Sequence, residues 1–191
     1  MGYTSAKAQL LTIPPYALAT ILTVLWAHLS ERFHRRAPFA LASTTLAIIG
    51  YIILITNEHP TKRPGVSYVG TFFAAAGIYP STALALAWPA NNVSGQTKRA
   101  VASAMQISIG NLGAVLGTQL YRPITAPRYL LGHGFALGYL VLNLVVTSLI
   151  WYVLGRENKR REALGFKGGF EDVDVNEEWR GDDDERWRFS T

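Results

Sequence analysis

The chain has 191 residues, 49% of them hydrophobic and 16% charged, with no cysteine and a formal net charge of +5. The lack of cysteine excludes a disulfide framework and any cysteine-based metal site. The basic residues lie between apolar runs rather than on one patch, which argues against a nucleic-acid partner. The division of charge is sharper than the totals: residues 1–155 hold ten Lys/Arg and two Asp/Glu, whereas 156–191 hold eight and eleven. Two kinds of sequence therefore meet near Gly155.

Five intervals free of Asp, Glu, Lys and Arg follow one another, at 8–30, 37–57, 64–97, 100–121 and 129–155. Each meets the roughly 20 residues that a helix needs to cross the ~30 Å hydrocarbon core. A charge at the centre of a span would cost ~2.5–3.5 kcal/mol, which explains why charges gather at the ends. The expected fold is all-α, a polytopic transmembrane bundle with five spans near 10–29, 38–56, 68–88, 100–121 and 134–154. Residues 1–155 then form the transmembrane domain, and 156–191 a charged tail expected to be disordered beyond Lys167. Strand-like alternation is absent, which argues against a β-barrel.

The first interval is expected to stay as a helix rather than be cleaved. It carries Pro14-Pro15 inside and no small-residue cleavage site near its end. It leads into "ERFHRR", where Glu31, Arg32, Arg35 and Arg36 can either hold neighbouring helix ends or serve only as a basic turn. In the third interval Pro80, flanked by Tyr79 and Ser81, frees a backbone carbonyl near mid-membrane, a feature tolerated where a helix lines a cavity. The decapeptide "NNVSGQTKRA" follows, with Lys98 and Arg99 pinning the next span at the surface. That fourth span places Ser103, Gln106, Gly110, Gly113 and Gly117 at alternating three- and four-residue spacing, one helical stripe suited to close helix packing. Gln106 and Asn111 are its central carboxamides, open to either substrate contact or interhelical hydrogen bonding. Trp179 and Trp187 in the tail are open to docking on a partner or to a solvated or membrane-associated state, where Trp is at home.

Lys/Arg counts set the orientation. Nine flank one side (Arg32, Arg35, Arg36, Lys98, Arg99, Arg156, Lys159, Arg160 and Arg161) and five the other (Lys7, Lys62, Arg63, Arg122 and Arg128). The positive-inside rule puts the N-terminus outside and the tail in the cytoplasm. Asn92 of the Asn92-Val93-Ser94 sequon is then expected to stay unglycosylated.

"WAHLSERFHRR" resembles the G-x-x-x-D-R-x-G-R-R loop of major facilitator superfamily transporters, with Ala27 and His34 in place of the two glycines and Glu31 in place of Asp. The Asn-Asn-Val-x-Gly-x-Thr-Lys-Arg-Ala loop, Gln-Ile-Ser-x-Gly-Asn, Gln-x-Tyr-Arg, Ala-Pro-Arg-Tyr and Gly-His occur in the order found in the fungal allantoate permease family of anion:cation symporters. "LLTIPPYALATILTVLWAHLSER" is similar to the eighth helix of that family. The resemblance covers about residues 3–162 and implies a partial major facilitator fold, helices eight to twelve of the C-terminal half.

That resemblance implies a C-terminal fragment of a secondary active organic-anion (carboxylate or vitamin-type) proton symporter, not an enzyme, working in the plasma membrane and incomplete for transport alone. Its partners would be the lipid bilayer, a small organic anion and a proton, with no cofactor or metal. It also implies that Tyr79 and Ser81 touch substrate, with Gln106 and Asn111 as further candidates. Span four, with Gly110, Gly113 and Gly117, would face the opposite half of the transporter, and span five would be peripheral, so that Asn143 would serve packing. No Asp or Glu lies at membrane depth to relay a proton. A second reading stays open: a non-transporting membrane protein from a truncated or mispredicted gene.

Overall fold

The computed structural model describes residues 5–122, 126, 128–164, 182 and 187–191. Five helices follow in order: α1 (Ser5–Arg32), α2 (Ala37–Thr56), α3 (Pro64–Asn92), α4 (Gln96–Leu120) and α5 (Leu130–Ala163). Each is long and apolar enough to cross a membrane, and the protein is an all-α transmembrane bundle. Among the described residues there is no strand.

α1, α4 and α5 extend beyond their charge-free intervals because a helix does not stop at the edge of the hydrocarbon, whereas α2 and α3 lie within theirs. α5 continues past Gly155, where the composition changes, to Ala163. Glu157 accepts from Arg160 at 2.8 Å and from Arg161 at 2.9 Å, the i,i+3 and i,i+4 pairs that support a helix in water. Local signals set the boundaries elsewhere. Proline occupies the first turn of α2 and of α3, where its missing N–H costs nothing. Gly95 takes φ +85° ahead of α4, a conformation that L side chains rarely adopt. Tyr129 enters α5 from the left-handed region, φ 45° and ψ 38°.

The tightest seam joins α2 to α3. Ala40, Ser43, Thr44, Ala47 and Gly50 are buried on α2, facing Gly70, Ala74, Gly77, Pro80 and Ser81 on α3. These residues are small, so the two backbones nearly touch. A Cβ at Gly77 would overlap the Ala47 backbone nitrogen, and one at Gly50 the backbone nitrogen of Ala74. Inside the seam Thr44 Oγ1 and Ser81 Oγ share a 2.8 Å hydrogen bond, and the Asn143 Oδ1 of α5 lies 3.5 Å from Thr44. Asn143 thus meets the α2–α3 seam from α5, in keeping with the packing role that the resemblance implies. α1 lies along the other side of α3, while α5 packs on α2 and α4 borders α3.

α4 differs from α2 and α3. None of its residues is buried, and a Cβ at Gly110, Gly113 or Gly117 would meet nothing within 4 Å. Its polar link to α3 comes from Gln106, whose Nε2 donates to the Ala85 carbonyl at 2.8 Å. Pro89, four residues beyond Ala85 on α3, has no N–H to give that carbonyl. Gln106 thus satisfies a carbonyl that a proline has freed.

At the end of the bundle where α1 meets α2 and α3 meets α4, the last five residues dock. Trp88 Nε1 donates to the Ser190 carbonyl at 2.7 Å, and Asn92 Oδ1 accepts from the Ser190 N–H at 2.7 Å. Asn158 brackets Phe189 in the same way, donating to its carbonyl at 2.9 Å and accepting from its N–H at 3.0 Å. Arg161 stacks on the Phe189 ring, 4.6 Å from its centroid. Asn92 Nδ2 also donates to the Ser190 carbonyl at 3.3 Å, so each asparagine pairs with both the N–H and the carbonyl of one residue, as a strand neighbour would. The backbone carbonyl of Trp187 accepts from Arg161 Nη1 at 3.1 Å, so Trp187 belongs to this docked segment. Trp179 and most of the tail expected to be disordered lie outside the described residues.

Candidate functional site

Two cavities lie along the seam of α1 and α3. The larger, about 660 Å³, occupies the end of the bundle away from the docked terminus and is lined by α1, the end of α2, the first half of α3 and the residues around Tyr129. The smaller, about 250 Å³, continues along α1 past Ala19, Thr20 and Thr23. Tyr16 and Tyr79 line both. Their rings meet edge to face with centroids 5.6 Å apart, an arrangement favoured by the ring quadrupoles. Each stands near the middle of its helix, so an aromatic pair divides the two chambers near mid-membrane.

The larger chamber is walled by aromatic rings bearing polar tips. The Tyr121 hydroxyl shares a 3.1 Å hydrogen bond with His133 Nδ1, and the Tyr51 and His133 ring centroids are 5.9 Å apart. The Tyr121 ring lies over Gly132, where an added Cβ would come within 2.7 Å of it. Arg128 lines the same chamber, and its Nε is buried with no hydrogen-bond partner among the described residues.

The site residues expected from the sequence divide three ways. Tyr79 lines the cavities. Ser81 lies on the opposite side of α3, bonded to Thr44 in the α2 seam, and Gln106 is engaged with Ala85. Asn111 is exposed on α4, and neither carboxamide lines the larger chamber. The loop residues cluster at the docked-terminus end. Arg36 Nη2 is 3.8 Å from Glu31 Oε1 and the Arg36 backbone N–H donates to the Thr191 carbonyl at 3.0 Å. The Asn91 carboxamide oxygen, in the orientation that satisfies both its ends, accepts from Arg36 Nε at 2.9 Å. Lys98 reaches Asp182 at 3.0 Å and Arg99 the Val93 carbonyl at 3.3 Å. The Arg35 backbone N–H closes the end of α1 on Ser30 at 3.2 Å, and Arg32 is the final residue of that helix.

Sequence reasoning missed Tyr16, Tyr51, Tyr121 and Arg128 as one constellation. They come from four separate segments, and no spacing along the chain announces their meeting. The one available signal was an arginine next to a tyrosine, Arg128-Tyr129, at the mouth of an apolar span.

The profile of the sugar (and other) transporter family matches residues 1–161. The chain belongs to this family of major facilitator transporters. An MFS-type transporter, cnsO, of Penicillium expansum is 39% identical over 86% of this chain and 32% of its own length. The high-affinity nicotinic acid transporter of Saccharomyces cerevisiae is 29% identical over 86% of the chain and 30% of its own length. The major facilitator-type transporter hxnP of Emericella nidulans is 30% identical over 68% of the chain. The chain thus spans about a third of the length of the curated relatives it matches. No solved structure matches.

Proposed function

We propose that the chain is the C-terminal part of a secondary active transporter for small organic anions, of the allantoate permease type, which moves its substrate with a proton by alternating access in the plasma membrane. One observation carries this reading: two cavities follow the α1–α3 seam and meet at the Tyr16–Tyr79 pair near mid-membrane. A mid-membrane site reached from either side is what alternating access requires. The named substrate of the nicotinic acid transporter is a carboxylate, which agrees with a chamber containing Arg128.

In this reading the docked terminus and the Lys98–Arg99 loop lie in the cytoplasm, where the majority of Lys/Arg belongs, and the larger chamber opens outward. The open stripe Gly110, Gly113 and Gly117 and the exposed face of α1 are the surface that the other half of the transporter covers. The length of the relatives, about three times that of the chain, supports an occupant of that size.

The test is uptake of a panel of labelled small carboxylates by vesicles carrying the longer transporter. Tyr79→Ala and Tyr16→Ala should each lower saturable uptake at least about tenfold, while Asn111→Ala leaves it near the unaltered level. Equal loss from all three would break the assignment of the path to the α1–α3 seam.

A further inference from the structure

The larger chamber contains a feature that transport in general does not require. Arg128 lines the chamber, and its Nε is buried with no acceptor among the described residues. A buried guanidinium nitrogen left without an acceptor costs free energy, and among the described residues lining the chamber this guanidinium is the one Lys or Arg charge. The described residues that line the chamber with it include Tyr51, Tyr121, Tyr129 and His133, which bring hydrogen-bonding groups and aromatic faces. Among the described residues no Asp or Glu lines the cavity, so none of them competes for the arginine or repels an anion there.

We infer that Arg128 and the tyrosines around it form an outer-mouth subsite for one carboxylate on a flat, ring-sized body. The guanidinium takes the carboxylate, by the fork geometry that suits a planar anion. The rings of Tyr51 and Tyr121 flank the body, and the hydroxyl tips supply further donors. A chamber of about 660 Å³ is large enough for such a molecule. The subsite lies on the chamber side of the Tyr16–Tyr79 pair, so it would select the anion before the substrate reaches mid-membrane. The inference deepens the transport reading, yet its test reads binding alone.

The probes are benzoate and its uncharged counterpart benzamide, titrated against the full 191-residue chain in lipid nanodiscs and followed by calorimetry. Benzoate should bind saturably and at least about tenfold more tightly than benzamide, the size of effect expected for hydrogen bonds to a charged group. Arg128→Gln should abolish that preference, and Arg128→Lys should restore part of it, with the helical circular dichroism of each variant matching the parent. Lys62→Gln, which removes a charge at the same end of the bundle but outside the cavity lining, should leave the preference intact. Equal binding of the two probes, or equal loss from Lys62→Gln and Arg128→Gln, would overturn the subsite. Uptake by the longer protein that survives Arg128→Gln with unchanged KM would also overturn it while leaving transport standing. The benzoate preference without any uptake would retain the subsite and remove the transport reading.

Discussion

The α2–α3 seam and the α4 face are both built on glycines at helical spacing, yet they end in opposite environments. Gly50 and Gly77 sit where an extra methyl group would enter a neighbouring backbone, whereas Gly110, Gly113 and Gly117 have open space in front of them. Without a hydrophobic driving force between helices in lipid, small residues promote association only where a complementary surface is present. On α2 the complement is α3, supplied by the same chain. On α4 it is proposed to be the other half of a longer transporter. A small-residue stripe therefore marks a surface able to pack closely, and the partner decides whether it does so.

The sharpest way to break this comparison is to add one methyl group on each side. Gly77→Ala should destabilise the chain by about 3 kcal/mol, the upper range for forcing extra volume into a tight contact, measured by denaturation in detergent micelles. An unchanged midpoint would mean that the seam is looser than the geometry requires. Next comes the α3–α4 link. Gln106→Leu leaves the carbonyl that Pro89 frees without its donor, and should cost about 1 kcal/mol while loosening α4 in hydrogen exchange. Equal protection of α4 in the two proteins would show that the bond does not hold the helix.

Gly113→Ala should move the stability of this chain by less than ~1 kcal/mol, in the stabilising direction expected when Gly is replaced inside a helix. In the longer transporter the same change should impair function, and that contrast separates an open face from an occupied one. The smallest effect concerns the tail. The Asp182 carboxyl is held below the ordinary carboxylate range, chiefly by the hydrogen bond from Lys98. A depressed acid contributes its contact above the unfolded-state pKa and loses it only as pH falls through the lower folded value. NMR titration of the Asp182 carboxyl should therefore give a midpoint below the usual range, and Lys98→Gln should return it upward.

Much of the architecture is legible in the amino-acid order itself, because the cost of a charge in hydrocarbon leaves an unmistakable record of five uncharged intervals. The turns between them follow from equally local rules. The site is less legible. Tyr79 is recognisable beside Pro80, but its neighbour Ser81 points into the opposite seam, since adjacent residues on a helix face different directions. Gln106 has the chemistry of a substrate contact, and its Nε2 donates to the Ala85 carbonyl, a pairing that depends on a proline of another helix, while its Oε1 is buried without a partner among the described residues. Arg128 and Tyr121 lie at the ends of spans, where charged and aromatic residues are common. Only their convergence with Tyr51 and His133 in three dimensions distinguishes them from ordinary membrane-surface anchors.

The central claim is that this chain supplies one wall of a path completed by further helices. The most direct test compares carboxylate uptake by vesicles carrying the 191-residue chain alone with uptake by vesicles carrying the longer transporter. The account predicts saturable uptake only with the longer protein, lowered there by Tyr79→Ala. Saturable uptake by the shorter chain alone, abolished by Tyr79→Ala, would contradict it.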